Sequence, residues 1–286
     1  MAEPGRFDPA ALPPLRTVIA RHGLQARKAL GQHFLLDSNL TARIARAAGD
    51  LSGVHVVEVG PGPGGLTRAL LATPAAEVVA VERDERCVEA LADLGAAAGG
   101  RLRVVCADAL EVDAAGLVPP PRAVVANLPY NIATPLLLGW LRSIDAFRSL
   151  TLMFQREVAE RLAAPPGSKS YGRLSVMSQW LAEVRVVFHL PAVAFTPPPK
   201  VASSVVGLTP RAAREDADWA AMERVTAAAF GQRRKMLRQS LKGLTDTGDG
   251  AALAAAAGLP PTARAEDIDV AGFAALARAW QRGGAR

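Results

Sequence analysis

Thiols are scarce in this chain: Cys87 and Cys106 are the two cysteines among 286 residues. Two cannot form a disulfide framework, and no CxxC pair or Cys/His cluster offers a zinc site. That usage fits a reducing compartment. Long apolar runs are lacking as well. The longest small-apolar stretch, Ala251 to Ala257, falls far short of the ~20 residues that a membrane helix needs. The opening residues, MAEPGRFDPAALPP, carry acids at Glu3 and Asp8 and repeated prolines, where a targeting peptide has bases and then an apolar segment. These absences predict a soluble cytoplasmic protein with no metal and no membrane association. What is present is globular: 50% of residues are apolar and 21% charged, enough at this length for one large domain or two with a substantial core.

Acids are missing locally. Lys and Arg number 33 against 27 Asp and Glu, a net charge of +6, and the placement matters more than the sum. No acid lies between Asp8 and Asp37, where Arg16, Arg21, Arg27 and Lys28 occur. Between Glu160 and Glu183 the charges are Arg161, Lys169 and Arg173 alone. From Arg233 to Lys242 five bases (Arg233, Arg234, Lys235, Arg238 and Lys242) stand without an acid. One such stretch is an ordinary solvated face; three in one chain point to a polyanionic partner, most simply nucleic acid.

Apolar periodicity predicts a helix over 38–50, capped by Asp37 or Ser38. Four valine-rich runs of strand length follow: HVVEVG at 55–60, EVVAVE at 77–82, RLRVVCAD at 101–108 and RAVVAN at 122–127. Helical segments intervene at 66–71 and 85–94, so the pattern is βαβ with a buried parallel sheet. Two more strands are expected at 150–154 and 183–190, with a helix near 157–163 between them. After Val206 the chain turns alanine-rich, with helices expected at 219–230, 234–241, 251–257 and 270–280. The fold class is therefore α/β, a Rossmann-like sheet with a small C-terminal all-helical domain.

Gly60, Gly62 and Gly65 form G-x-G-x-x-G after a strand and before a helix, and Glu82 follows about 20 residues on. That fingerprint fits a nicotinamide enzyme. Pyrophosphate recognition, however, needs backbone N–H donors, and Pro61 and Pro63 remove two of them. Glu58, Glu82 and Asp108 lie near the carboxyl ends of adjacent strands, and three carboxylates around one crevice suit a cation. S-adenosylmethionine is such a ligand, with Glu82 on its ribose hydroxyls and Asp108 on its adenine amino group.

Asn127-Leu128-Pro129-Tyr130 follows the fourth strand at the same edge. As local structure it is a polar turn. As chemistry it suits methylation of the exocyclic amino group of a base, a poor nucleophile because its lone pair is delocalised into the ring. The Asn127 amide oxygen and the Leu128 carbonyl can bind its two hydrogens and turn the lone pair toward the methyl. Tyr130 can stack on the base, a contact worth ~1–3 kcal/mol.

The motifs KALGQHFLLD (28–37), EVGPGPGGLT (58–67), NLPYNIATPLL (127–137), YGRLSVM (171–177), FTPPPKVASSVV (195–206), FGQRRKMLRQSL (230–241) and ARAEDI (263–268) together resemble the ribosomal RNA adenine dimethylase family, closest to its bacterial small-subunit branch. The resemblance implies class I methyltransferase architecture, with an N-terminal extension over 1–26, the catalytic domain over 27–207 and a helical rRNA-binding domain over 208–286. It implies S-adenosylmethionine contacts at His33, Leu35, Gly60, Glu82, Asp108 and Asn127, although the family usually has asparagine where this chain has His33. Phe195 is implied as a second aromatic that sandwiches the target adenine against Tyr130; by its residues alone it reads as core. The implied substrate is two adjacent adenines in a hairpin near the 3′ end of small-subunit ribosomal RNA, converted to dimethyladenosines on the immature small subunit by a monomeric enzyme. Arg233, Arg234, Lys235 and Arg238 are expected on one basic helix that holds the RNA. Competing readings are the large-subunit branch, an inactive assembly factor that keeps the fold, and the nicotinamide enzyme.

Overall fold

The computed structural model describes residues 7–27 and 31–283; Glu3 and Lys28, named above, lie outside the described residues. The chain forms two compact units, Met1–Ala159 with Arg185–Pro210, and Glu160–Val184 with Arg211–Arg286.

The first unit begins with α1 (Leu15–Arg21), β1 (Phe34–Leu35) and α2 (Ser38–Ala47). Asp37 caps α2 by accepting from the Asn39 and Leu40 N–H groups. There follow β2 (His55–Val59), α3 (Gly65–Leu71), β3 (Glu77–Glu82), α4 (Glu85–Ala90), α5 (Ala92–Ala97), β4 (Leu102–Cys106), β5 (Arg122–Ala126), α6 (Tyr130–Arg142) and β6 (Ser149–Gln155). α7 (Arg156–Leu162) and α8 (Arg173–Leu181) precede β7 (Ala182–Leu190), β8 (Phe195–Thr196) and β9 (Ser203–Pro210).

The main sheet has the order β4-β3-β2-β5-β6-β9-β7. β2 to β6 run parallel and β9 lies antiparallel to β6. Valine runs become strands because they are covered on both faces. Val56, Val57, Val78, Val79, Val124 and Val125 are all buried, each worth roughly 1.5–3 kcal/mol of transfer free energy. In register, Val57 sits between Val79 and Val124. Strand order reverses between β2 and β5, the place where sheets of this kind open a ligand crevice beyond the strands' carboxyl ends. On one side of the sheet, Ile44 and Ala45 of α2 join Leu66, Leu70 and Leu71 of α3 in the core. The expected extension over 1–26 packs as part of this unit: Val18 of α1 and Leu24 meet Cys87 and Ala90 of α4.

The second unit holds α8, α9 (Trp219–Gly231), α10 (Leu237–Ser240), α11 (Gly250–Ala256) and α12 (Val270–Arg282). α8 and α12 both pack on α9. Phe230 stacks on Phe273 with centroids 5.4 Å apart, and the buried Tyr171 hydroxyl donates to the Ile268 carbonyl at 2.9 Å.

Two sequence expectations need correction. Residues 160–184 group with the C-terminal helices, although the last three of them already open β7, because Val176, Met177, Trp180 and Leu181 of α8 bury their side chains among those helices. The sheet resumes afterwards, so reading in chain order hides the excursion. The basic helix expected at 234–241 is also absent as such. Arg233, Arg234 and Lys235 occupy a turn after α9, and α10 begins only at Leu237. Met236 is extended and bridges to Arg264, which breaks the helix there.

Candidate active site

The crevice at the strand reversal is lined by the segment before and within β1, the glycine loop after β2, the ends of β3 and β4, and the turn after β5. His33, Leu35, Gly60, Glu82, Asp108, Asn127, Leu128 and Tyr130 all line it, so eight positions singled out from sequence converge on one place.

The N–H groups of the glycine loop are engaged by the fold. Gly60 N–H donates to the Val81 carbonyl, Gly64 N–H to the Pro61 carbonyl, and Gly62 N–H to Glu82 Oε2 at 3.0 Å. With prolines at 61 and 63, these N–H groups are not aimed at a phosphate, which disfavours a pyrophosphate cradle. Two glycines are sterically required. Gly62 has φ +53, and a Cβ there would lie 3.1 Å from the Phe34 ring; a Cβ on Gly65 would meet the Leu35 carbonyl at 2.6 Å. The loop therefore lies hard against β1.

The three acids differ in their surroundings. Glu82 is 7% exposed and accepts from three backbone N–H groups, those of Gly62, Arg83 and Asp84. Burial raises its pKa while those bonds oppose the rise. A carboxylate has about four acceptor positions, so one remains for a ligand hydroxyl. Asp108 is paired with Arg83 at 2.8 Å and accepts from the Leu110 N–H at 3.0 Å. Glu58 is 1% exposed, and its Oε2 has no hydrogen-bond partner among the described residues. Burial pushes its pKa up to about 8; the Thr67 hydroxyl works against that rise and the Glu82 charge adds to it.

On the other wall, the Asn127 amide donates through Nδ2 to the His33 carbonyl at 3.2 Å. The Tyr130 hydroxyl shares a 2.5 Å hydrogen bond with Ser203 Oγ, and burial raises its pKa. The His33 ring stacks on Tyr130, centroids 5.6 Å apart at 30°, while its Nδ1 is 2.8 Å from the Pro197 carbonyl.

Phe195 is not part of this wall. It is 2% exposed, pairs with Leu35 across the β1–β8 ribbon, and sits in the core with Phe188 and Leu190. The antiparallel pairing turns its ring inward, so the aromatic that accompanies Tyr130 in this structure is His33. Sequence reading passed over Ser203, eight residues after Phe195 in the same motif, and Phe34 beside His33. Each could have been found by asking which neighbour satisfies the tyrosine hydroxyl and which ring covers the glycine loop.

In the second unit, Arg234, Lys235 and Arg238 are exposed. Arg233 is committed instead: its Nε donates to Glu266 at 2.9 Å and its Nη2 to the Ser168 carbonyl at 3.3 Å. An acid from ARAEDI thus answers a stretch that is acid-free in sequence. Among the described residues no helix is long and apolar enough to cross a membrane.

The model of the family "Ribosomal RNA adenine dimethylase" matches residues 23–281. A Rhodospirillum rubrum protein named Ribosomal RNA small subunit methyltransferase A is 61% identical over 274 residues, covering 96% of this chain and 94% of that one. A Paramagnetospirillum magneticum protein of the same name is 62% identical over 271 residues, 94% of this chain and 95% of its own. Among solved structures, a dimethyladenosine transferase from Plasmodium falciparum superposes with a TM-score of 0.73 at 24% identity, over 88% of this chain and 99% of that one. The 23S rRNA methyltransferase ErmE does so with a TM-score of 0.66 at 28% identity, over 87% and 99%. The sheet is therefore that of the class I methyltransferases, and this chain belongs to the ribosomal RNA adenine dimethylase family.

Proposed function

We propose that this chain transfers methyl groups from S-adenosylmethionine to the exocyclic amino groups of two adjacent adenines, in a hairpin near the 3′ end of small-subunit ribosomal RNA, giving dimethyladenosines during subunit biogenesis. The observation that carries the reading is Asn127-Leu128-Pro129-Tyr130 lining the same crevice as Glu58, Glu82 and Asp108. The cofactor supplies an electrophilic methyl on a cationic sulfur. The residues present fit it: Glu58 offers a buried oxygen without a partner, and the loop N–H groups that would favour a dianion are spent.

The division of labour follows from the geometry. With its Nδ2 tied to the His33 carbonyl, Asn127 can turn Oδ1 to accept from the adenine amino group, alongside the Leu128 carbonyl. Tyr130, held by Ser203 and extended by the His33 ring, is the surface on which a base taken out of its stack settles. Glu82 takes a ribose hydroxyl and Asp108 the cofactor's adenine amino group, while His33, Leu35 and Gly60 bound the remainder. Glu82→Ala is expected to weaken cofactor binding by about 1–3 kcal/mol, since it strips the partner from buried N–H groups and from the ligand. Arg234, Lys235 and Arg238 engage RNA phosphates, which positions the substrate without reading its sequence. The enzyme acts as a monomer on the immature small subunit in the cytoplasm.

The large-subunit alternative is disfavoured by similarity: 61–62% identity to the small-subunit enzymes against 28% to ErmE. Labelled S-adenosylmethionine offered with small-subunit or large-subunit RNA from a strain lacking the modification tests the assignment. Label in the small-subunit RNA alone is expected. Label confined to the large-subunit RNA, or none with either, would reject it.

A further inference from the structure

We propose that Ser203 is a positioning residue for methyl transfer: its hydroxyl tethers the Tyr130 ring in the orientation that receives the target adenine. This rests on the reading of Tyr130 as the surface on which a base taken out of its stack settles, and it names the post that holds that surface.

Tyr130 is the first residue of α6 and lines the crevice, half-buried. Its side chain turns about two bonds, so its place on the helix does not by itself fix the plane of the ring. The side chain is caught at two points. Its hydroxyl shares the 2.5 Å hydrogen bond with Ser203 Oγ, and its ring lies against that of His33. Both partners are themselves anchored. Ser203 opens β9 in register with Gln155 of β6, and the Arg156 N–H donates to the neighbouring Ala202 carbonyl at 2.9 Å. The His33 Nδ1 donates to the Pro197 carbonyl, since a carbonyl can only accept. Pro197 and Ser203 stand at the two ends of the connection from β8 to β9. One segment of chain therefore holds Tyr130 by its tip and His33 by its edge. With Phe195 turned into the core, the FTPPPKVASSVV motif serves the site through a hydroxyl and a carbonyl and not through an aromatic ring.

Ser203 has no direct route to the substrate. It is fully buried and does not line the crevice, so its influence on the reaction passes through Tyr130. Stacking needs two planes that face each other, and a ring free to turn offers that geometry only part of the time. Fixing the ring beforehand removes an ordering step on the way to the transition state. The tether acts on turnover, whereas affinity for the RNA is set largely by phosphate contacts.

The test is a double-mutant cycle in the whole protein, with Ser203→Ala, Tyr130→Phe and the two combined. Each is assayed for kcat with S-adenosylmethionine and small subunits from a strain lacking the modification, and for binding to the same particles. Either single variant is expected to lower kcat about tenfold, the scale of one hydrogen bond lost from a preorganised surface. Particle binding is expected to change by about twofold at most. The combined variant should be no slower than either single one, because both substitutions remove the same bond. Losses that multiply in the combined variant would overturn the inference. So would wild-type turnover in Ser203→Ala, or weakened binding with kcat intact. In each of those cases the wild type still methylates the particles, and the functional reading stands; no methyl transfer by the wild type would instead overturn that reading. Should Ser203→Ala fail to fold, Tyr130→Phe cuts the same bond from the other end and decides alone. A tenfold loss of kcat with binding kept then supports the tether, and wild-type turnover contradicts it.

Discussion

The side-chain amide of Asn127 donates to the main-chain carbonyl of His33, 94 residues earlier in the chain, at 3.2 Å. That bond fixes the orientation of the amide. With one of the two Nδ2 hydrogens engaged there, Oδ1 remains an acceptor for a ligand, and an acceptor is what an amino group approaching the methyl requires. The same residue, His33, lays its ring on Tyr130. The segment before β1 therefore orients both the acceptor and the aromatic surface of the Asn-Leu-Pro-Tyr turn.

Asn127→Ala should lower kcat by about 100-fold, the scale of losing one preorganised polar contact to the reacting group. RNA affinity should change little, because the contact strengthens as the nitrogen becomes pyramidal. Steady-state kinetics alongside an RNA binding isotherm separate the two. A loss of affinity with kcat intact would make Asn127 a docking residue.

Phe195 is expected to act through the core. Phe195→Ala should cost about 3–5 kcal/mol of stability, as for other large-to-small aromatic truncations, read by denaturant unfolding. Phe195→Leu should retain most of the stability and the turnover. If Phe195→Leu unfolds like wild type yet binds the target hairpin tenfold more weakly, the ring stacks on a base after all.

The basic turn should divide by function. Replacing Arg234, Lys235 and Arg238 by alanine should lower the slope of log affinity against log salt by about 2–3 and leave the melting temperature unchanged. Arg233→Ala should instead cost about 0.5–1 kcal/mol of stability, since its guanidinium is tied to Glu266 and to the Ser168 carbonyl. An unchanged salt slope in the triple variant would return those three residues to an ordinary solvated surface.

Much of the site was legible in sequence because it is carried by strand ends. Glu82 closes β3, Asn127 follows β5, and the glycine loop follows β2, so a parallel sheet brings them together whatever the side chains do. Pro61 and Pro63 already argued against a phosphate cradle, and the closed hydrogen bonds of Gly60, Gly62 and Gly64 agree. What was not legible depends on contacts distant in sequence. Glu266 answers Arg233 across 33 residues, and Phe195 turns inward because β8 pairs with β1. The assignment of 160–184 to the helical unit escaped for a related reason: a chain that leaves a sheet and returns to it looks contiguous when read in order.

A monomethylated nitrogen has one hydrogen left and carries a methyl where a hydrogen was, so dimethylation tests whether the Asn127, Leu128 and Tyr130 arrangement can hold both species. The decisive measurement is mass spectrometry of small subunits from a strain lacking the modification, after incubation with this protein and excess S-adenosylmethionine, with the modified bases mapped. Two methyl groups on each of two adjacent adenines near the 3′ end are expected, with the monomethyl species only transient. Accumulation of one methyl per adenine, or methylation elsewhere in the RNA, would contradict the assignment.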